Sequence, residues 1–330
     1  MSTLATPSPT GPDPLPASGA SLRPRISFQP DRRSILQRRK EKVIEAGLFL
    51  AGASSIVITL GIAFVLVYEC IPFFKSVSIK EFLGDTLWAP VFDQPRFGIW
   101  SLIAGTLTTT GVALAVSIPV GTISAIWLSE YCKPHLREVI KPVLEMLSAV
   151  PTVVYGYFAL LVVTPILQWL FALFGAQLPG FNMLSAGLVM GIMIIPYVAS
   201  LSEDAMRAVP MQMREGSYAM GATRFQTAVR VLLPAAISGV TAAYILAISR
   251  AVGETMIVAI AAGLRPQFTF NPTDEAATIS AAIVQASLGD LPHDTVAYQS
   301  IFAAGLVLML MTLVFNIAGY LLRKRFREAY

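Results

Sequence analysis

Charged residues occur in clumps along this chain, and the intervals between the clumps are apolar. No Asp, Glu, Lys or Arg falls between Glu45 and Glu69, Arg96 and Glu130, Glu145 and Glu203, Arg230 and Arg250, or Asp294 and Arg323. A helix rises about 1.5 Å per residue, so roughly 20 apolar residues cross the ~30 Å of bilayer hydrocarbon with every backbone polar group satisfied inside the helix. These intervals are membrane-length, and the longest, 146 to 202, must hold two crossings. Its middle, Gly175-Ala176-Gln177-Leu178-Pro179-Gly180-Phe181-Asn182, has the composition of a turn. The pattern predicts an all-α integral membrane protein with six transmembrane helices at about 44–72, 98–130, 139–167, 184–207, 236–263 and 297–322.

The basic residues orient these helices. With the N-terminus in the cytoplasm, the inner segments hold eight (Arg23 to Lys42), three (Lys133, Arg137, Lys141), four (Arg207, Arg214, Arg224, Arg230) and four (Arg323, Lys324, Arg325, Arg327). The outer segments hold four: Lys75, Lys80, Arg96 and Arg265; Arg250 lies within a span. Loops rich in Lys and Arg stay in the cytoplasm, so both termini are assigned there.

Composition agrees: the chain is 55% hydrophobic and 13% charged, against about 25% charged for a soluble domain. The net charge of +4 follows from the inner basic clusters, for which anionic lipid headgroups suffice as partners and no nucleic acid is needed. Residues 1–30 are rich in Pro, Ser, Thr and Gly and lack the apolar core of a cleavable signal peptide. The segment 1–43 is therefore expected to be a disordered, basic cytoplasmic tail, and 324–330 a short basic one, flanking a six-helix membrane domain at 44–323. Cys70 and Cys132 fall at opposite membrane faces and cannot pair. His135 and His293 are likewise separated, which removes a histidine metal cluster or a catalytic triad, and no Gly-Lys pair exists to form a phosphate-binding P-loop. These absences argue against an intramembrane enzyme.

Two outer segments are long. Segment 73–97 carries Trp88, Pro90, Pro95 and Phe97 and suggests a loop anchored by aromatics at headgroup level. Segment 264–296 is acidic, with Asp274, Glu275, Asp290 and Asp294, and spaces Ala276, Ile279, Ile283 and Ala286 as a helix would. It reads as a short amphipathic or re-entrant helix on which an external partner docks, or as a plain surface loop.

The inner segment 210–234 reads Glu215-Gly216-Ser217-Tyr218-Ala219-Met220-Gly221-Ala222-Thr223-Arg224-Phe225 and runs on to Val231-Leu232-Leu233-Pro234. Two short helices hinged at Gly221, whose backbone reaches angles closed to other residues, would make a rigid element projecting into the cytoplasm. The spacing resembles the coupling loop of binding-protein-dependent ABC importers: Glu-Ala-Ala, three residues, Gly, nine residues, Ile-x-Leu-Pro. Glu215, Gly221, Val231, Leu233 and Pro234 match in register, with Gly216 and Ser217 where the pattern has alanines and Val231 where it has Ile. The ordinary alternative is an amphipathic loop.

Further runs resemble phosphate importer permeases of the PstC type from about residue 45 onward. They are Leu147-Ser148-Ala149-Val150-Pro151-Thr152-Val153-Val154-Tyr155-Gly156, Ile194-Ile195-Pro196, Arg207-Ala208-Val209-Pro210 and Arg250-Ala251-Val252-Gly253-Glu254-Thr255-Met256. The resemblance implies a type I ABC importer permease fold in the bacterial inner (plasma) membrane. It also implies a second permease of the PstA type, a homodimeric ATPase of the PstB type docked on the 215–234 loop, and a periplasmic phosphate-binding protein of the PstS type. No cofactor is expected on this chain; ATP and magnesium would belong to the ATPase. The alternatives are a permease for another oxyanion, sulfate or molybdate, or a secondary transporter or channel, which the coupling loop disfavours.

Arg250, Glu254 and the adjoining Thr255 are the candidate substrate path. A charge near mid-membrane costs at least about 2.5–3.5 kcal/mol, so both charged residues must face protein or water. On one helix, positions i and i+4 share a face and allow an ion pair. The pair is then either a structural clamp or an anion site in which Glu254 restrains Arg250 and keeps binding weak enough for release. Thr106, Thr108, Thr109 and Thr110 offer hydroxyls to a path or to their own helix. Pro119, Pro151, Pro165 and Pro196 should bend or end helices, as hinges or as packing kinks.

Overall fold

The computed structural model describes residues 32–325 except 93, 290, 291, 293 and 294, with side chains from residue 40. Residues 1–31 and 326–330, and with them most of both expected tails, lie outside the described residues. The chain divides into two units, Met1–Thr59 and Leu60–Tyr330. The described part of the first is helical throughout; all other elements belong to the second.

Helix α1 covers Arg32–Ser76, so residues 32–43, expected as tail, are helical. The basic stretch contains no Gly or Pro to stop a helix that the apolar run then continues. Helix α2 (Ile79–Gly84) and the antiparallel pair β1 (Trp88–Ala89) and β2 (Arg96–Phe97) follow. They do not form a loop of membrane anchors. Trp88 and Phe97 are buried with Phe73 and Phe82, whose rings meet edge to face at 5.3–6.2 Å, a geometry that aromatic quadrupoles favour.

Helix α3 (Trp100–Ile126) ends in a wider, π-helical turn at Trp127–Tyr131. Helix α4 (Pro134–Ser148) is a separate amphipathic helix, and a break at Ala149–Pro151 precedes α5 (Thr152–Phe158), a π-helical turn at Ala159–Val163 and α6 (Thr164–Leu173). The third span is thus Thr152–Leu173, about a dozen residues later than expected from the apolar pattern. Arg137 and Lys141, four apart, belong to the polar face of α4, and Pro151 begins the span instead of bending it.

Helix α7 (Met183–Arg207) starts where Asn182 Oδ1 accepts the Ser185 N–H at 2.8 Å. It is the central element, packed against α3 through small residues: a Cβ on Gly121 would come within 2.6 Å of Val198, and one on Gly187 within 2.7 Å of Val112. Such contacts let membrane helices approach closely. An inner hairpin follows, made of α8 (Met211–Ala219), α9 (Arg224–Thr227), a π-helical turn at Ala228–Leu232 and α10 (Leu233–Ala235). The next crossing is interrupted: α11 (Ile237–Val252) stops, and α12 (Met256–Ala261) resumes after Gly253, Glu254 and Thr255. Helix α13 (Ile279–Leu288) is a short helix buried over its first turn, Ile279 to Ala282, and exposed toward Leu288, and α14 (Val296–Arg325) completes the bundle. Among the described residues, five helices are long and apolar enough to cross a membrane, or six if the pair 224–235 and 237–252, bent by 76°, counts as one crossing.

Candidate functional site

The interruption in the fifth crossing brings several chemical groups together. Glu254 is buried, and its Oε1 accepts the N–H groups of Met256 at 3.2 Å and Ile257 at 3.4 Å. The carboxylate thereby satisfies the orphan donors at the start of α12, where a negative charge also complements the helix dipole. Thr255 Oγ1 donates to Gly253 O at 3.3 Å, and Ser280 Oγ of α13 donates to Glu254 O at 2.6 Å. Thr106 ties the other side: its hydroxyl donates to Leu102 O at 2.7 Å and accepts the Ile279 N–H at 3.0 Å. Thr109 bonds Gly105 O at 2.8 Å, while the buried Thr108 and Thr110 hydroxyls have no hydrogen-bond partner.

Arg250 does not pair with Glu254. The helix ends at Val252, so the i, i+4 relation that would align the two side chains is absent, and no ion pair joins them among the described residues. The Arg250 guanidinium instead lies over the Tyr197 ring of α7, 4.4 Å from its centroid, and its buried Nε has no hydrogen-bond partner. Stacking on an aromatic face offsets part of the cost of holding this cation in the membrane. Tyr197 donates to Ser148 O at 3.3 Å and Tyr155 to Leu147 O at 2.8 Å, so the aromatic under Arg250 is tied to the break before Pro151. Pro119 lies inside α3, Pro196 inside α7 and Pro165 in the first turn of α6.

The inner hairpin is the second candidate region. Gly221 has φ +80° and joins its two arms. Thr223 and Gln226 form a reciprocal capping box that starts α9, and Ser217 and Thr227 hydroxyls meet at 2.9 Å across the arms. Glu215, Gly216, Ala219 and Pro234 are exposed; Ser217, Ala222, Val231 and Leu233 are half-buried. Met220 and Phe225, 88% and 62% exposed, present apolar surface at the tip. Glu130, in the π-helical turn ending the second span, holds the hairpin's first arm. Arg214 Nε lies 3.3 Å from Glu130 Oε1, and Tyr218 donates to Oε2 at 3.2 Å. Burial, and then the neighbouring Glu130 carboxylate, raises the Tyr218 pKa.

A group not anticipated from sequence fastens α4 to α7. Glu203, fully buried, accepts from Arg137 at 2.7 and 3.1 Å and from Lys141 at 3.1 Å. Lys141 also bonds Asp204, and Arg207 lies 3.7 Å from Glu203. The hydrogen bond to Glu203 raises the Arg137 pKa. For Lys141, burial pulls the pKa down, but the bonds to Asp204 and Glu203 outweigh it and the net shift is upward. The signal was present: two cations four residues apart, at the same membrane face as a Glu-Asp pair that closes an apolar run.

The chain is similar in sequence and in fold to known transport proteins. The sequence profile of the binding-protein-dependent transport system inner membrane components matches residues 117–328, and the chain belongs to that family. Among its relatives is a Bacillus subtilis protein described as a probable ABC transporter permease, YqgH, 31% identical over 89% of this chain and 93% of that one. Another is the phosphate transport system permease PstC of Mesorhizobium japonicum, 32% identical over 74% of this chain and 78% of that one. The solved bacterial importer of the acidic polysaccharide alginate superposes with a TM-score of 0.60 over 90% of this chain and 100% of its own at 15% identity, a likeness of fold alone. The chain is a multi-pass membrane protein of the ABC permease class, resembles the PstC-type members, and has the type I importer fold.

Proposed function

We propose that this chain is the PstC-type permease subunit of an ATP-driven importer of inorganic phosphate in the bacterial inner membrane. The observation that carries the reading is Arg250: a guanidinium within a membrane crossing, stacked on Tyr197, without an acidic partner among the described residues and beside an interrupted helix. A cation in that setting can meet a passing oxyanion without first breaking an ion pair, and stacking rather than charge pairing leaves binding weak enough for release. Glu254 and Thr255 shape the break itself, so Glu254 acts on the path through the backbone that it caps. A second permease of the PstA type would close the path, and a periplasmic binding protein of the PstS type would deliver phosphate from outside. A homodimeric ATPase of the PstB type, which binds ATP and magnesium, would dock on the hairpin around Met220 and Phe225. Pro119, Pro151 and Pro196 lie where segments would pivot as the path opens.

The test is uptake of labelled phosphate in cells lacking other phosphate transporters, with assembly of the complex checked for each variant. Arg250→Gln should abolish uptake in an assembled complex, and excess sulfate or molybdate should not compete in the unaltered protein. Uptake near the unaltered level in an assembled Arg250→Gln complex would overturn the role of Arg250. Full competition by sulfate would overturn phosphate as the substrate.

A further inference from the structure

A groove between α11 and α14 has the chemistry of a lipid site, independent of what the protein transports. At its wider end a cavity of about 440 Å³ is lined by Ser238, Gly239, Ala242, Tyr320, Arg323 and Lys324. A second cavity of about 440 Å³ shares Ala242, Tyr320 and Arg323 with the first and continues along Ile245 and Leu246. One end thus offers two cations and the hydroxyls of Ser238 and Tyr320, and the other a channel along Ala242, Ile245 and Leu246 that ends at Ser249 and Asn316. Below the channel the helices touch, because a Cβ on Gly319 would come within 2.3 Å of Ile245. The small side chain of Ala242 leaves room in the groove, whereas Gly239 lets α11 pack closely on Ala205 of α7.

Arg323 and Lys324 have no acidic partner among the described residues, and Arg323 lies 5.8 Å from the centre of the Tyr320 ring. They end the last span on the side that the basic-residue asymmetry assigns to the cytoplasm, where the leaflet is anionic. Asn316, seven residues before Arg323, lies about 10 Å deeper along the helix. The headgroup layer is roughly 5–8 Å thick on each side, so this depth reaches the level where acyl chains begin. There Ser249 Oγ donates to Asn316 Oδ1 at 2.8 Å, leaving the amide N–H groups available for an ester carbonyl.

We propose that this groove binds one anionic phospholipid of the inner leaflet. Its phosphate sits against Arg323, Lys324 and Ser238, and one acyl chain lies along Ala242, Ile245 and Leu246. The paired cations select the charge, and the channel selects a lipid over a free anion.

Native mass spectrometry of the full chain in detergent, titrated with phosphatidylglycerol or phosphatidylcholine, tests this. Phosphatidylglycerol should be retained in preference to phosphatidylcholine, and the double variant R323Q/K324Q should hold it about 30-fold more weakly. The remote, exposed Lys133→Gln should retain it as the unaltered chain does. Ala242→Phe, which fills the channel and leaves both cations, should also release it, and millimolar inorganic phosphate should not. Equal retention of the two lipids, equal loss in Lys133→Gln, or displacement by inorganic phosphate would each overturn the proposal. So would undiminished retention by a folded Ala242→Phe chain. If Ala242→Phe does not fold, the exposed pair R323Q/K324Q decides. In the assembled transporter, a photo-crosslinker at Leu246 should capture lipid; capture of the second permease in its place would also overturn it.

Discussion

Two connections in this chain carry short helices between membrane crossings, and they differ in which part buries apolar side chains: the inner hairpin at its root, through Ala228 and Leu232, and the outer connection at its middle. The inner hairpin between α7 and α11 leaves Met211, Met220 and Phe225 at least 59% exposed. The outer connection between α12 and α14 buries Ala276, Ala277, Ile279 and Ala281 completely. Its polar backbone is satisfied partly within itself, where Ala277 N–H bonds Arg265 O at 2.9 Å, and partly from other elements, where Met183 N–H bonds Asp274 O at 3.0 Å and Ile279 N–H bonds Thr106. The inner hairpin is held by a few polar contacts at its root and is self-contained at its tip. Apolar surface costs free energy in water, so under the proposed function the exposed tip is where the ATPase would dock. The buried stretch of the outer connection, Ala276 to Ala282, packs into the framework around the interrupted crossing, while Phe268, Phe270 and Leu288 stay exposed on either side of it.

The sharpest way to break this comparison is to enlarge one glycine that faces the outer connection, Gly105 of α3, and one within the inner hairpin, Gly216. A Cβ on Gly105 would come within 2.4 Å of Ala277 O, whereas nothing lies within 4 Å of one on Gly216. Gly105→Leu should destabilise the protein by about 3 kcal/mol or more, lowering the thermal midpoint in detergent and exposing 264–278 to protease. Gly216→Leu should leave both readouts nearly unchanged; equal effects would mean that the two connections are alike. Next in size, Thr106→Val leaves the buried Ile279 N–H without its acceptor, a cost of about 1–3 kcal/mol, visible as faster hydrogen exchange at the start of α13. Gly221→Ala places a Cβ at φ +80° and should cost about 1–2 kcal/mol, read as a lower midpoint for unfolding. The smallest stability effect, within about 0.5 kcal/mol, is expected for Met220→Gln. Under the proposed function, that variant should nonetheless lose most of the co-purifying ATPase.

The parts of the fold that were legible in the sequence are those where charge and apolarity switch together. Helices α3, α7 and α14 begin and end within a few residues of the expected positions because Arg96, Glu130, Glu203 and Arg323 mark their ends. The third crossing was misplaced because α4 carries enough apolar residues to prolong the run. Its polar face shows only when Arg137 and Lys141 are counted at helical spacing. The burial of Trp88 and Phe97 was hidden for a different reason: aromatic residues suit both a headgroup layer and a small core, and only their three-dimensional neighbours decide. At the candidate site, Arg250, Glu254 and Thr255 were identifiable as polar groups at membrane depth, yet their pairing was not. The i, i+4 argument presupposes an unbroken helix. In Gly253-Glu254-Thr255 a glycine followed by two residues able to bond the backbone instead ends one helix and caps the next.

The three π-helical turns, at Trp127–Tyr131, Ala159–Val163 and Ala228–Leu232, have a consequence for how this chain tolerates changes in length. Each accommodates one surplus residue, so removing a residue there would return the segment to ordinary α-helix while everything downstream kept its facing. The same deletion elsewhere in a helix would swing the downstream side chains by about 100°. The third turn lies across the end of the nine-residue interval between Gly221 and Val231. That spacing therefore includes a phase correction, which sets the angle at which the hairpin's second arm meets the crossing that contains Arg250.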